Sequence, residues 1–161
     1  MSTLNKGRKD SLQEKDILIA VDGSENARRA VIYVADFLRG IPGFHVTLLN
    51  IVSEPPEDYF SNKQEHKKWI EEHQGIAHQM LENYRMILMQ AGFKEEAIEA
   101  KVIIKSCSSI AECILSERVK HNSSAVVVGR RGISKKEEFL FGSTSNKILH
   151  EAKDCSVWVI E

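Results

Sequence analysis

The run Ala125-Val126-Val127-Val128 breaks at Gly129-Arg130-Arg131-Gly132, and nine residues later Gly142-Ser143-Thr144-Ser145-Asn146 leads into Lys147-Ile148-Leu149. Four consecutive apolar residues, three of them β-branched and bounded by glycine, read as a short strand buried on both faces, as in a parallel sheet. The glycine-punctuated segment after it, followed by hydroxyl residues and a periodic apolar pattern, reads as a loop entering a helix.

The same alternation extends in both directions. Ile17-Leu18-Ile19-Ala20-Val21 is a second buried strand, stopped by Asp22-Gly23-Ser24. Ala27, Ala30, Val31, Val34, Ala35 and Leu38 then recur at helical spacing, up to Gly40, Pro42 and Gly43. Val46 to Val52 is a strand, and Pro55-Pro56 marks a loop before a long helix with Trp69, Ile76, Met80, Tyr84, Ile87 and Leu88 on its apolar face. Gly92 is a natural stop for that helix. Ile98 to Ile104 is a strand, and Ser109 with Glu112 forms a capping box ahead of Ile110, Ile114, Leu115 and Val119. A last helix runs from Gly142-Ser143 to about Glu151, and Val157 to Ile160 closes the chain as a strand. Five strands alternating with four helices imply a parallel sheet, because each strand returns to the same edge through a right-handed helical crossover.

The chain has 161 residues, 42% of them apolar and 28% charged, which is the composition of one globular domain. The polar residues 1–15 read as a flexible lead-in and 16–161 as the domain. A net charge of −1 argues against a nucleic-acid binder with a broad basic face, yet permits a local anion site. The start of the chain is not a signal peptide, and no apolar stretch reaches the roughly 18 residues that span a membrane. Three cysteines without a CxxC pair read as reduced thiols in a cytoplasmic protein. His66, His73 and His78 are spaced by seven and five, unlike the spacing near four of a helical zinc pair.

In an open parallel sheet, ligands bind beyond the carboxyl ends of the strands. The loop from Gly129 to Ser143 lies there by expectation. Its glycines permit close backbone approach, and the free N–H groups of a new helix form an anion site, with hydroxyls from Ser143, Thr144 and Ser145 beside them. With glycine at about 7% of residues, three at fixed offsets arise by chance at roughly 0.0003 per start position. Arg130 and Arg131 read as a solvated loop face, the charges of Lys135 and Lys136 are cancelled by Glu137 and Glu138, and Phe139 and Phe141 read as anchors of the loop on the sheet.

These residues resemble the Gly-x2-Gly-x9-Gly-[Ser/Thr] element of the ATP-binding universal stress proteins. The resemblance covers the chain from Ile17 onward, including Val21-Asp22-Gly23-Ser24-Glu25 and Gly142 to Leu149. With it the expected fold is a single doubly wound, Rossmann-like α/β domain with strand order 3-2-1-4-5. It implies ATP as ligand, with ADP or AMP as variants. It places Val21 along the pocket, Asp22 near ribose and phosphates, Ile51 at the adenine, and Val128 and Gly129 against adenine and ribose. Gly132, Gly142, Ser143 and Thr144, with Ser145 beside them, are implied phosphate contacts. Asp22 is also expected to help hold Mg²⁺ through the phosphates, since magnesium takes one or two carboxylates plus phosphate oxygens. The family commonly dimerises through its last strand, so a homodimer through Val157, Trp158, Val159 and Ile160 is expected.

The implied role is a nucleotide-binding stress-response module rather than an efficient enzyme. No Walker lysine follows the glycines, and no general base is evident, which leaves at most slow ATP hydrolysis or self-phosphorylation. Val21 to Asn26 lacks the paired glycines of an ATP pyrophosphatase. Ile104-Lys105-Ser106-Cys107 lacks the acceptor aspartate of a phospho-receiver. An interaction module of the same fold without a ligand is the remaining alternative.

Overall fold

The first strand, β1 (Lys15–Ala20), lies at the centre of the sheet, flanked by β2 (Phe44–Ser53) on one side and β4 (Ala125–Gly129) on the other. Beyond them lie β3 (Ile98–Lys105) and β5 (Ser156–Ile160), giving the order β3-β2-β1-β4-β5 with every pairing parallel. The helices α1 (Glu25–Leu38), α2 (Lys63–Gln90), α3 (Ile110–His121) and α4 (Ser143–Glu151) form the crossovers. This computed structural model describes residues 15–131 and 141–161. The expected lead-in therefore lies outside the described residues except for Lys15, which opens β1, and Gly132, Lys135, Lys136, Glu137, Glu138 and Phe139 also lie outside them.

The strands alternate their side chains between two apolar layers. Ile17, Ile19, Val46, Leu48, Ala125 and Val127 face α1 and α2, while Leu18, Leu49, Val126 and Val128 face α3 and α4. All six apolar positions expected on α1 are buried. At the ends of α1 and α2, Gly40 meets Gly92 so closely that a Cβ on Gly40 would lie 2.5 Å from the Gly92 carbonyl oxygen. The two glycines that end these helices are therefore also the point where their ends cross.

The buried stripe of α2 is Ala77, Leu81, Tyr84 and Leu88, with Met80 and Ile87 at its margin. Ile76 is exposed, contrary to the sequence expectation, because it lies one residue off the 4-3-4 spacing that faces the sheet. Val119, expected on the buried face of α3, is likewise exposed, and its neighbour Glu117 is buried instead. The expected capping box does not form: Ser109 is the N-cap of α3 without a side-chain cap bond, and Ser108 donates to Glu112. Phe141, expected as an anchor, is exposed. The expectation of three reduced thiols is also corrected, since Cys107 and Cys113 are joined as a disulfide and only Cys155 is free. The turn into α3 brings their Cα atoms to 6.5 Å, a separation a disulfide spans.

Glu117 is 1% exposed between α3 and β3, where it accepts from Lys101 at 2.8 Å and Lys120 at 2.5 Å. Burial pushes its carboxyl up, but the hydrogen bonds from Lys101 and Lys120 outweigh this and hold it at about 2, below its ordinary 4.5. A folded-state value below the unfolded one contributes stability that is full above pH 4.5 and lost as pH falls toward 2. Urea unfolding of the parent and of Glu117→Gln should show the parent's advantage at the upper end of that window and its loss at the lower end. An advantage constant across the window would mean that folding leaves the Glu117 pKa unshifted.

Candidate functional site

At the carboxyl edge of the sheet β1 and β4 part, and a cleft of about 380 Å³ opens between the chains leaving them. Val21 continues the ladder for one residue, its N–H donating to the Leu49 carbonyl at 2.9 Å. Its own carbonyl accepts from the buried Asn50 side chain at 2.7 Å, which ties β1 to β2 at the rim. Asp22 then turns away from the sheet and accepts the Ser24 N–H at 3.0 Å. The N-cap of α1 is Ser24, whose hydroxyl accepts from the Ala27 N–H at 3.1 Å, so the Asp22 carboxylate is not the helix cap.

Across the cleft, Gly129 ends β4 under the first turn of α1. A Cβ there would lie 2.8 Å from the backbone carbon of Asn26 and 2.9 Å from the Ala27 nitrogen, closer than real Cβ contacts. This glycine is thus required by helix packing, whatever else approaches it. The next residue joins three parts of the chain. Arg130 donates its N–H to Ile160 at 2.6 Å, and its carbonyl accepts from Gly142 N–H at 2.8 Å and from the Ser145 hydroxyl at 2.7 Å. Its guanidinium pairs with Glu161.

Those bonds fix the start of α4. Gly142 is its N-cap with φ −65° and ψ 159°, a backbone open to any residue. The first bond within the helix runs from Asn146 N–H to the Gly142 carbonyl at 3.0 Å, so the N–H groups of Ser143, Thr144 and Ser145 precede the helical ladder. The partial positive charge of the helix end gathers at these groups. Ser145 is 2% exposed, and its hydroxyl lies within donating reach of both the Arg130 and the Gly142 carbonyls. Its side chain positions the turn.

Of the residues singled out from the sequence, Val21, Asp22, Ile51, Val128, Gly129, Gly142, Ser143, Thr144 and Ser145 all line this one cleft. Gly132 lies outside the described residues. The sequence reading missed Leu49, Ile110 and Ile114, which extend the apolar wall beside Ile51 and Val128. Ile110 and Ile114 were legible as one face of α3, but not as a face that overlooks the cleft. Arg131, read as a solvated loop residue, lines the cleft as well. Asp22 is the only carboxylate lining it among the described residues. Its charge reaches α2, where burial first and the Asp22 carboxylate next raise the pKa of the Tyr84 hydroxyl.

The universal stress protein family model matches residues 14–161, and the chain belongs to that family. It is 27% identical over 146 residues to a Staphylococcus aureus (strain USA300) protein named as a candidate universal stress protein, covering 91% of this chain and 83% of that one. Among solved structures, it resembles a universal stress protein in complex with cAMP, with a TM-score of 0.64, 17% identity, and 91% and 97% of the two chains covered. It also resembles the Archaeoglobus fulgidus universal stress protein in complex with dAMP, with a TM-score of 0.59, 18% identity, and 91% and 98% coverage.

The Gly129 contact yields a direct test. Gly129→Ala forces its methyl against the backbone of α1 and should destabilise the protein by about 1–3 kcal/mol in urea unfolding. A neutral result would show that α1 shifts freely and that the cleft walls are not set by this contact.

Proposed function

We propose that the cleft binds an adenine nucleotide, ATP in the first instance, and that the protein acts as a nucleotide-occupied regulatory module of the stress response. The observation that carries this reading is the pairing, in one cleft, of an apolar wall with a helix start whose first three N–H groups precede the ladder. The wall of Val21, Ile51 and Val128 suits the flat apolar base, and the N–H groups of Ser143, Thr144 and Ser145 suit phosphate oxygens. The resemblance to family members in complex with cAMP and dAMP supports the same ligand class.

Charge-assisted hydrogen bonds of roughly 1.5–3 kcal/mol each hold a phosphate chain without a basic patch. The Ser143 and Thr144 hydroxyls add donors at the same helix end, and Asp22 lines the same cleft. The donor set fits Mg²⁺ in the manner expected of it with a nucleotide: one carboxylate, Asp22, with the other oxygens supplied by phosphates and water. Bound there, the ion would neutralise phosphate charge near that carboxylate. The chain's own residues bind and orient, and turnover is at most slow hydrolysis or transfer to a loop hydroxyl. We place the protein in the cytoplasm, where ATP is abundant.

The thermal midpoint should rise by roughly 5–10 °C with Mg-ATP at a hundred times its dissociation constant, a stabilisation of about 2.7 kcal/mol. The rise should vanish in Gly142→Val, which puts a branched side chain at the N-cap of α4, on the lining of the cleft. No rise at millimolar ATP would favour the alternative, an interaction module that keeps the fold and not the ligand.

The assembly reading rests on β5, which is an edge strand with one side unpaired among the described residues. Beside it, Trp158 meets Tyr33 and Phe37 of α1 edge-on at 6.5 and 5.8 Å, forming an aromatic ledge of which Phe37 is 60% exposed. An apolar edge of this kind favours pairing with a second copy through Val157 to Ile160. Val159→Lys should elute as a monomer on a sizing column. Because Val159 also packs on the core, Phe37→Glu, at an exposed position, is the companion variant and should weaken the dimer without unfolding the chain. A dimer unchanged in both would remove β5 as the interface.

A further inference from the structure

The bridge between Cys107 and Cys113 spans the turn into α3, the helix whose Ile110 and Ile114 line the cleft. Cys107 lies two residues before Ser109, the N-cap of α3, and Cys113 lies within the first turn of that helix. Between them stands Ile110 and just after them Ile114, both on the apolar wall of the cleft. Glu112, next to Cys113, accepts from the Ser108 hydroxyl at 2.5 Å and pairs with Lys147 of α4 at 2.5 Å. These contacts, the Lys147 bond foremost, hold the Glu112 carboxyl below its usual range. One short segment therefore touches the apolar wall and also the helix whose start forms the polar end.

The bridge is poorly placed to serve as a staple for the whole fold. A crosslink stabilises chiefly by restricting the unfolded chain, and the effect grows with the length closed; here the two cysteines are six residues apart. Both faces of the sheet are already covered by continuous apolar layers. The pair is better placed for reversible chemistry. Cys107, ahead of α3, is partly exposed and so within reach of a small disulfide, while Cys113, on the helix, is 8% exposed.

We infer that Cys107 and Cys113 form a thiol–disulfide switch that sets the first turn of α3 and, through Ile110, the affinity of the cleft for nucleotide. The inference rests on the nucleotide reading of that cleft. Closure proceeds by exchange with a low-molecular-weight disulfide such as oxidised glutathione. The Cys107 thiolate attacks one sulfur of that disulfide, forming a mixed disulfide and expelling one small thiolate. The Cys113 thiolate then attacks the Cys107 sulfur and expels the second. Two protein thiols give up two protons and two electrons, and the small disulfide becomes two thiols. Reduced glutathione reverses both steps.

On reduction the two sulfurs withdraw to non-bonded contact. Cys113 is held in the packed side of α3, so the displacement falls on residues 106–109, of which Ser106 and Ser108 are exposed, and on Ile110 at the helix start. The bridged form keeps Ile110 and Ile114 on the cleft wall and is the tighter binder. Linkage then demands a reciprocal effect: if the bridge raises ATP affinity by some factor, ATP shifts the thiol–disulfide equilibrium toward the bridge by the same factor.

The test uses the full chain equilibrated in oxidised or reduced glutathione buffers, titrated calorimetrically with Mg-ATP, with free thiols counted by alkylation and mass. The oxidised protein should show one free thiol and bind ATP about five-fold tighter or more than the reduced protein. Saturating ATP should move the glutathione midpoint toward the disulfide by that factor. Cys107→Ser should bind with the reduced-form affinity in both buffers, while Cys155→Ser should keep the redox dependence. Three free thiols in oxidised buffer would overturn the switch at its first step. Equal affinity in both buffers, with an unmoved midpoint, would overturn the coupling alone. No ATP binding in either buffer would overturn the nucleotide reading and the coupling with it.

Discussion

The parallel pairing of β1 with β4 is the constraint from which the carboxyl edge follows. Ile17 lies beside Ala125 and Ala20 beside Val128, so two segments far apart in sequence end side by side at the centre of the sheet. After them the crossovers diverge, the chain from β1 rising into α1 and the chain from β4 leading toward α4 on the opposite face. A crevice at that point is a topological necessity. Its width is set by packing: the first turn of α1 rests on Gly129 with no room for a side chain, and Arg130 draws the start of α4 back toward the sheet through its carbonyl.

The polar end of the crevice is built mostly from backbone. Gly142 N–H and the Ser145 hydroxyl are both engaged by one carbonyl, that of Arg130, which orients the helix start. The Arg130 guanidinium meanwhile turns to Glu161 at the end of the chain. Lys147 behaves similarly: the Glu112 hydrogen bond raises its pKa first, and its charge serves the contact between α3 and α4. Arg130 and Lys147 thus act as struts, while the helix start of α4, the Asp22 carboxylate and Arg131 line the crevice.

That division explains what was legible in the sequence. Strands buried on both faces announce themselves as unbroken apolar runs, and α1 as a clean amphipathic pattern, so sheet and crossovers could be written down from them, while the strand order came with the family resemblance. The glycine spacing marked the loop and helix start because glycine is the residue a close approach requires. Contacts formed between elements left no comparable trace. Glu117 occupies a buried position because Lys101, from β3, reaches it, and nothing local distinguishes it from the exposed glutamates around it. The stripe of α2 depends on which of several adjacent hydrophobes meets α1 and the sheet, and a rotation of one residue exchanges Ile76 for Ala77. Cys107 and Cys113 pair because the chain reverses into α3 between them, and a six-residue spacing alone does not encode that reversal.

The near-neutral charge of the chain is compatible with the anion site proposed for this cleft. A polyanion such as nucleic acid must be met over a long surface, which demands many cations and a strongly basic face. A single phosphate chain is met over a few ångströms, where three N–H groups of one helix end and its dipole suffice. Such donors do not titrate, carry no net charge and are invisible to composition. The 22 basic and 23 acidic residues are then free to pair with one another on the surface, as Lys147 does with Glu112, while the start of α4 adds its dipole to the charges of Asp22 and Arg131 at the cleft.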